Sequence, residues 1–357
     1  RIEFYAAIKT AEPFLPAGTV IAREQTYVHT FYKKEATAQQ PATSKEEGNL
    51  VAFSGPDFKA TFDKQSGLLT SYLYKKHEYI LNGQGPRPFF WRAPTDNDYG
   101  ANLPVRLKAW KEASYQEPKA ESFQVTPGSN ATTIKVTYRF PQTDARWDIT
   151  YKIYASGVIK VDNRFVAEGD QAPMIPRVGL RMQLPESFTD LTYYGRGPKE
   201  NYRDRRTSQF IGEYAIPVKD MYEPYVRPQE NNHRTDIYWC ALTDKTQRGL
   251  LLIADRTFEL NASNYPLESM DSGDTIDNGA PRTEKTHHRH LTDPLPEKMV
   301  DLFIDYRMMG VGGDDSWGAT AHEPYLIRPG KENAIEYGFS LVPFDKKEDY
   351  KYLIRQY

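Results

Sequence analysis

Apolar and polar residues alternate along most of this chain with a period of two, the spacing of a strand that has one dry face and one wet face. Ile134, Val136, Tyr138 and Phe140 alternate with Lys135, Thr137 and Arg139. Trp147, Ile149, Tyr151 and Ile153 alternate with Asp148, Thr150 and Lys152, and Ile159, Val161 and Phe165 continue the rhythm after the turn Ala155-Ser156-Gly157. Val178, Leu180, Met182 and Leu184 follow. Further on, Val300, Leu302, Ile304, Tyr306 and Met308 alternate with Asp301, Phe303, Asp305 and Arg307, and Ile335, Tyr337, Phe339 and Leu341 with Glu336 and Ser340. Each run predicts a strand with its second set of residues toward solvent, which is the logic of antiparallel sheets. So many strands, joined by long loops bearing Pro and Gly, predict an all-β fold: a large antiparallel sandwich.

Helical signals are few. Pro104 to Tyr115 has a proline near its start and Leu107 and Trp110 three apart, which predicts one short helix. Asp345 to Tyr357 is charged and reads as a terminal helix or a tail. At the other end, Ile2–Lys9 and Thr19–Tyr32 read as two strands around the Pro- and Gly-bearing segment 12–18. Two strands cannot close a core, so residues 1–34 are expected to end a small β-sandwich lying upstream. Residues 35–48 are Ala, Thr, Gln, Ser, Lys and Glu with a single Pro, a composition that reads as a linker. The main domain is then expected over 49–345, with a tail over 346–357.

Composition narrows the functional classes. Charged residues make up 26% and the net charge is −2, so there is no electrostatic case for a nucleic acid or an anionic membrane. No apolar run approaches a membrane span. The single cysteine, Cys240, excludes an internal disulfide framework and a Cys-rich zinc site. The chain begins with Arg rather than Met and is expected to be part of a longer protein.

Candidate chemistry lies in the segments that do not alternate. In Gly312-Gly313-Asp314-Asp315-Ser316-Trp317-Gly318, glycines and aspartates make a tight turn carrying a tryptophan that folding alone would rather bury. An indole on a polar tip is a stacking platform, and a sugar ring, with one C–H face and a polar rim, matches it. Trp317 is therefore a candidate ligand residue, with Asp314 and Asp315 read as turn formers first and sugar ligands second. Asp96, Asn97 and Asp98 offer oxygen ligands for Ca²⁺, but their spacing is not that of a calcium loop and favours an Asx-turn network. Gly195 and Gly197 lack the third glycine and the βαβ setting of a dinucleotide site. Arg227, Glu230, His233 and Arg234 are candidates for a sugar pocket. The alternative reading of this loop, with its two Glu-Asn pairs at 200–201 and 230–231, is that carboxylates and arginines pin it in place. His288 and His290 would share a strand face without a third metal ligand, and His287 and His322 are equally unassigned. No G-x-S-x-G motif is present. A hydrolytic acid pair such as Glu200 with Glu230 would have to come from sandwich loops, so no catalytic residue is expected in this chain.

Five ordered runs together carry a resemblance: 92–98 (Arg92 to Asp98), 197–205 (Gly197 to Arg205), 221–231 (Met221 to Asn231), 288–290 and 312–317. They resemble, in the same order, the C-terminal domain of the large bacterial lactose-cleaving β-galactosidases of glycoside hydrolase family 2, over about Asn49 to Phe344. Residues 1–34 are similar to the end of the immunoglobulin-like domain that precedes it there. The resemblance implies a supersandwich related to galactose mutarotases, and an upstream barrel of the same polypeptide holding the nucleophile and acid/base glutamates. It implies that Trp317 stacks on galactosides such as lactose at the mouth of that active site. It also implies a homo-oligomeric full enzyme whose Mg²⁺ and Na⁺ lie mostly outside this region, so no metal is expected here. After Trp317 the chain departs from the family: Gly318-Ala319-Thr320-Ala321-His322 is its own.

Overall fold

A computed structural model of the chain describes residues 1–28, 39–168, 174–273, 290–315, 317–330, 332 and 334–356. The chain divides into two units, Arg1–Ala36 and Thr37–Arg355. The first is an antiparallel hairpin of β1 (Ile2–Ala7) and β2 (Val20–Thr26), paired from Ile2↔Thr26 to Ala7↔Val20. Phe4, Tyr5, Val20 and Ile21 are exposed on it.

The second unit opens with a five-stranded meander of β3 (Thr43–Glu47), β4 (Leu50–Ser54), β5 (Phe58–Asp63), β6 (Leu69–Tyr74) and β7 (His77–Glu78). Its alternating Val51, Phe53, Ala60, Phe62 and Tyr72 are buried. Phe62 meets Phe123 and Tyr151 of the larger sheet at 6.4 and 5.0 Å, which closes the two sheets face to face. Residues 43–47 correct the linker reading. Their polar composition buries nothing, yet the backbone pairs with β4, and an exposed Lys- and Glu-bearing edge strand needs no apolar face.

The larger sheet has twelve strands. They are β8 (Arg87–Phe89), β9 (Ala120–Thr126), β10 (Thr132–Phe140), β11 (Ala145–Ile153), β12 (Ile159–Ala167), β13 (Arg177–Pro185), β14 (Asp190–Gly197), β15 (Phe210–Pro217), β16 (Arg234–Thr243), β17 (Gly249–Ser263), β18 (Met299–Met308) and β19 (Ile335–Phe344). The path runs β15-β14-β16-β17-β19-β12-β11-β10-β9. β18 branches off β17 to β13, and β13 on to β8. The strand β17 is long enough to pair with β19 through Gly249–Ala254 and then with β18 through Glu259–Ser263, and so passes from one layer to the other. All pairings are antiparallel, so the all-β reading holds. Among the described residues helices are short: α1 (Asp96–Gly100), α2 (Leu103–Arg106), α3 (Lys108–Tyr115) and α4 (Tyr350–Gln356). The helix expected from Pro104 is thus two, broken at Leu107. α3 places Trp110 against Phe90, whose ring lies 4.9–5.5 Å from those of Phe140, Trp147, Phe165 and Trp110 at the core.

Two strands depart from the one-wet-face expectation. On β18 the alternate set Asp301, Phe303 and Asp305, expected to face solvent, is as buried as its partners, and on β13 Arg177 and Arg181 are buried too. A second polar layer covers that face. It includes Glu230, His233 and Arg203, which reach Arg177 and Glu259. Close packing there depends on Gly179, where a β-carbon would lie 1.8 Å from Asp305 Oδ1.

Candidate functional site

Two of the other ordered runs, 92–98 and 197–205, meet at the base of the turn that carries Trp317. β18 ends at Met308, and the next four residues are held on both sides. Arg92, fully buried, forks onto Asp98 (Nε–Oδ2 3.0 Å, Nη2–Oδ1 2.7 Å) and donates to the carbonyls of Met309 (2.6 Å) and Gly310 (3.1 Å). Asn97 donates to the carbonyl of Val311 at 3.4 Å. From the other side Asp204 accepts from the backbone N–H of Val311 (3.2 Å) and of Gly312 (2.7 Å). The bonds to Arg92 and Asp204 use a charged partner, the strong kind.

The tip is built locally. Asp315 Oδ1 accepts from the N–H of Trp317 (2.8 Å) and of Ala319 (3.3 Å), an Asx-type turn that holds its carboxyl below the usual range. Asp314 Oδ1 lies 2.8 Å from His322 Nε2. Asp315 thus shapes the turn, while Asp314 remains exposed beside His322. The indole of Trp317 is 88% exposed. The backbone at Met309–Gly312 is thus pinned, while the Trp317 side chain beyond it is left uncovered.

Asp96 to Asp98 do not make a calcium loop. Thr95 and Asp98 cap α1 reciprocally, Asp98 is buried against Arg92, and Asp96 faces outward. Their role is the Asx-type one, with the N-terminus of α1 fixed under the turn. Arg227 belongs to the same surface: its guanidinium lies 4.6 Å over the ring of Tyr99 and 3.9 Å from Asp96.

Glu230, His233 and Arg234 are elsewhere, and buried. Glu230 accepts from Arg177 (3.2 Å), Asn261 (3.0 Å) and the N–H of Ala93 (3.2 Å). His233 has both ring nitrogens on oxygens, Asn261 Oδ1 at 2.6 Å and Glu259 Oε2 at 3.0 Å. Arg234 donates to Tyr193 Oη and to the carbonyls of Pro198, Asn232 and His233. The geometry gives these three no open face toward a ligand and separates them from Arg227. It is the pinning alternative that their contacts fit. Glu200 and Glu230 likewise serve separate sets: Glu200 accepts from the N–H of Asn232 (2.8 Å) and pairs with Arg205 and Tyr225.

The buried layer has uneven electrostatics. Burial pushes the Asp305 carboxyl up to about 7, against the pull of Arg177 with Nε at 3.3 Å. Glu259 is equally buried but goes the other way, to about 2, because His233, Arg203 and the N–H of Met308 all favour its charged form. Among the described residues no three His, Cys, Asp or Glu side chains converge to hold a metal. His287 and His288 lie outside the described residues, and His290 is exposed, its N–H bonded to Asp293.

The profile of the family described as "Beta galactosidase small chain" matches residues 54–341. The chain belongs to that family. A β-galactosidase of Priestia megaterium is 33% identical over 291 residues, covering 81% of this chain and 26% of that protein. One of Streptococcus thermophilus is 27% identical over 348 residues, covering 96% and 32%. The chain thus spans about a quarter to a third of these relatives' length. Among solved structures, a galactose 1-epimerase from Lactobacillus acidophilus aligns at a TM-score of 0.45 and 6% identity, covering 87% of this chain and 99% of that one.

The turn and its tryptophan stand out by residue type, but the side chains that hold its base do not. Arg92 and Asp204 stood inside two of the quoted runs, as Arg-x₅-Asp and as Asp between arginines. Nothing in the sequence tied either to residues 309–312, more than a hundred positions away.

Proposed function

We propose that this chain is the carbohydrate-contacting C-terminal part of a retaining β-galactosidase, with Trp317 as an aromatic wall for galactosides such as lactose. The observation that carries the reading is the 88% exposed indole on a turn anchored by Arg92 and Asp204. Membership of the small-chain family supports it. On this reading the nucleophile and the acid/base glutamates lie in an upstream barrel of the same polypeptide, and this chain alone cleaves nothing. The Mg²⁺ and Na⁺ of the full enzyme are left to the rest of the polypeptide, and the full enzyme is a homo-oligomer. Asp314 and Asp315 shape the turn and contact sugar hydroxyls only secondarily.

The chemistry asked of Trp317 is binding. Its ring face covers the apolar C–H face of a pyranose and excludes water from it, while hydroxyls at the ring's edge stay solvated. In the full enzyme, Trp317→Ala should raise KM for lactose and weaken sugar inhibitors, and Trp317→Phe should restore part of the loss. Unchanged KM and inhibitor affinity in Trp317→Ala would refute the reading. Turnover of a chromogenic galactoside by the 357-residue chain alone would refute its division of labour.

A further inference from the structure

A cleft of about 1090 Å³ lies in the second unit, its lining reaching Arg203, Tyr306 and Arg307 beside the anchored base of the Trp317 turn but not the turn itself. It lies on the polar face of the large sheet and is lined from β9–β12 and from β16–β19. Positive and negative side chains interleave along it. Arg146 pairs with Asp148 at 2.9 Å and Arg164 with Glu336 at 3.4 Å, and Arg203, Asp236, Asp255 and Arg256 line it as well. One end is aromatic. The rings of Tyr306 and Tyr337 are 6.1 Å apart, and the Tyr337 hydroxyl is fixed by donating to the carbonyl of Ile304 at 3.0 Å. Arg307 lies 5.1 Å over Tyr306, and its buried Nε has no hydrogen-bond partner among the described residues. Arg256 is exposed on the same cleft.

We propose that this cleft is a binding site for a neutral oligosaccharide, distinct from the Trp317 platform. Alternating signs leave no one-sided field to attract a polyanion. They suit sugar hydroxyls, each of which donates to a carboxylate and accepts from a guanidinium at once. The tyrosine pair supplies the apolar faces on which pyranose rings stack, and one of them is already immobilised. At about 1090 Å³ the cleft is slightly larger than the about 300–1,000 Å³ of most ligand clefts, room for more than one sugar ring.

The test uses the full-length enzyme that contains this chain, with the galactose site saturated by a competitive inhibitor. β-1,4-galactotetraose is titrated by calorimetry or saturation-transfer NMR, with a heparin tetrasaccharide as the polyanionic comparison. The proposal expects saturable millimolar binding of the galactotetraose that Trp317→Ala leaves unchanged. Arg307→Gln and Tyr306→Ala should each weaken it about five- to ten-fold, roughly 1–1.4 kcal/mol. Arg256→Ala, on an exposed side chain that cannot unfold the sheet, should weaken it two- to five-fold. No saturable binding, or equal binding by all three cleft variants, overturns the proposal. So does salt-dependent displacement by the heparin fragment. Hydrogen-exchange protection of β17 and β18 that no sugar changes would assign the cleft to another part of the polypeptide and overturn it too. Loss of binding in Trp317→Ala alone would place the sugar at the turn, and a failed Trp317 reading leaves the cleft test untouched.

Discussion

Removing Asp204 tests whether the platform works because it is held. Its carboxylate is half-buried and accepts two backbone N–H bonds, from Val311 and Gly312, at the point where β18 gives way to the turn. A hydrogen bond to a charged group contributes about 1.5–3 kcal/mol, and partial exposure brings each of these nearer about 1 kcal/mol. Asp204→Ala should therefore cost the anchored turn about 2 kcal/mol, enough to move it from almost always seated to frequently unseated. The ligand-side stake is set by the indole. A tryptophan side chain buries about 150–250 Å² in full. A sugar covering a third of it gains about 1–2 kcal/mol at about 25 cal/mol/Å². Trp317→Ala should then raise KM for lactose about ten-fold. Asp204→Ala should raise it by several-fold, and in the Trp317→Ala background should add nothing. Steady-state kinetics on the four members of this cycle in the full enzyme give the coupling directly. Additive effects, or an Asp204→Ala enzyme with wild-type KM, would refute the anchoring argument. Because the indole is exposed, Trp317→Ala itself should leave the unfolding temperature unchanged.

The remaining expectations address the same anchors and the buried layer beneath them. Gly310→Ala should reproduce the Asp204 phenotype, because its β-carbon would lie 2.5 Å from Asp204 Oδ2 and 2.8 Å from Ala321 Cβ, and kinetics at saturating and limiting lactose would show it as a KM effect. Asp305 holds its proton more tightly in the fold, at about 7, than in an unfolded chain, at about 4, so its contribution to stability falls as pH rises through that window. Glu259, held at about 2, contributes stability above its unfolded value that is lost as pH falls toward 2. Thermal unfolding followed from pH 3 to pH 8 should show both limbs, with Asp305→Asn flattening the upper one alone. Glu259→Gln should cost about 1–3 kcal/mol in denaturant unfolding, since it removes the buried charge that part-exposed Arg203 and the N–H of Met308 are bonded to. Cys240 is buried and its thiol pushed well up, so a thiol reagent should label it only at the rate of unfolding.

The fold class was legible in the residues alone. A period of two needs only the local fact that successive side chains on a strand point opposite ways, and Ile134 to Phe140 or Trp147 to Ile153 state it without help from the rest of the chain. Membership of a family was legible in the same local sense, as five short runs in order. So was the turn at 312–317, because Gly and Asp specify turn geometry through their own backbone preferences and the tryptophan stands out against them. The tertiary structure alone decided which polar residues are surface and which are core. Asp301 and Asp305 obey the alternating pattern of a solvent face and are nonetheless buried, paired with Arg181 and Arg177 of the neighbouring strand β13. Glu230, His233 and Arg234 have the residue types of a sugar pocket, but their partners Arg177, Asn261, Glu259 and Tyr193 come from other strands and occupy them. The anchoring of Trp317 by Arg92 and Asp204 spans more than a hundred residues in each case. Periodicity and turn propensity carry no information at that separation. Only the closing of the sheets, driven by burial of apolar surface and by the need to pair every buried charge, brings those residues to one place.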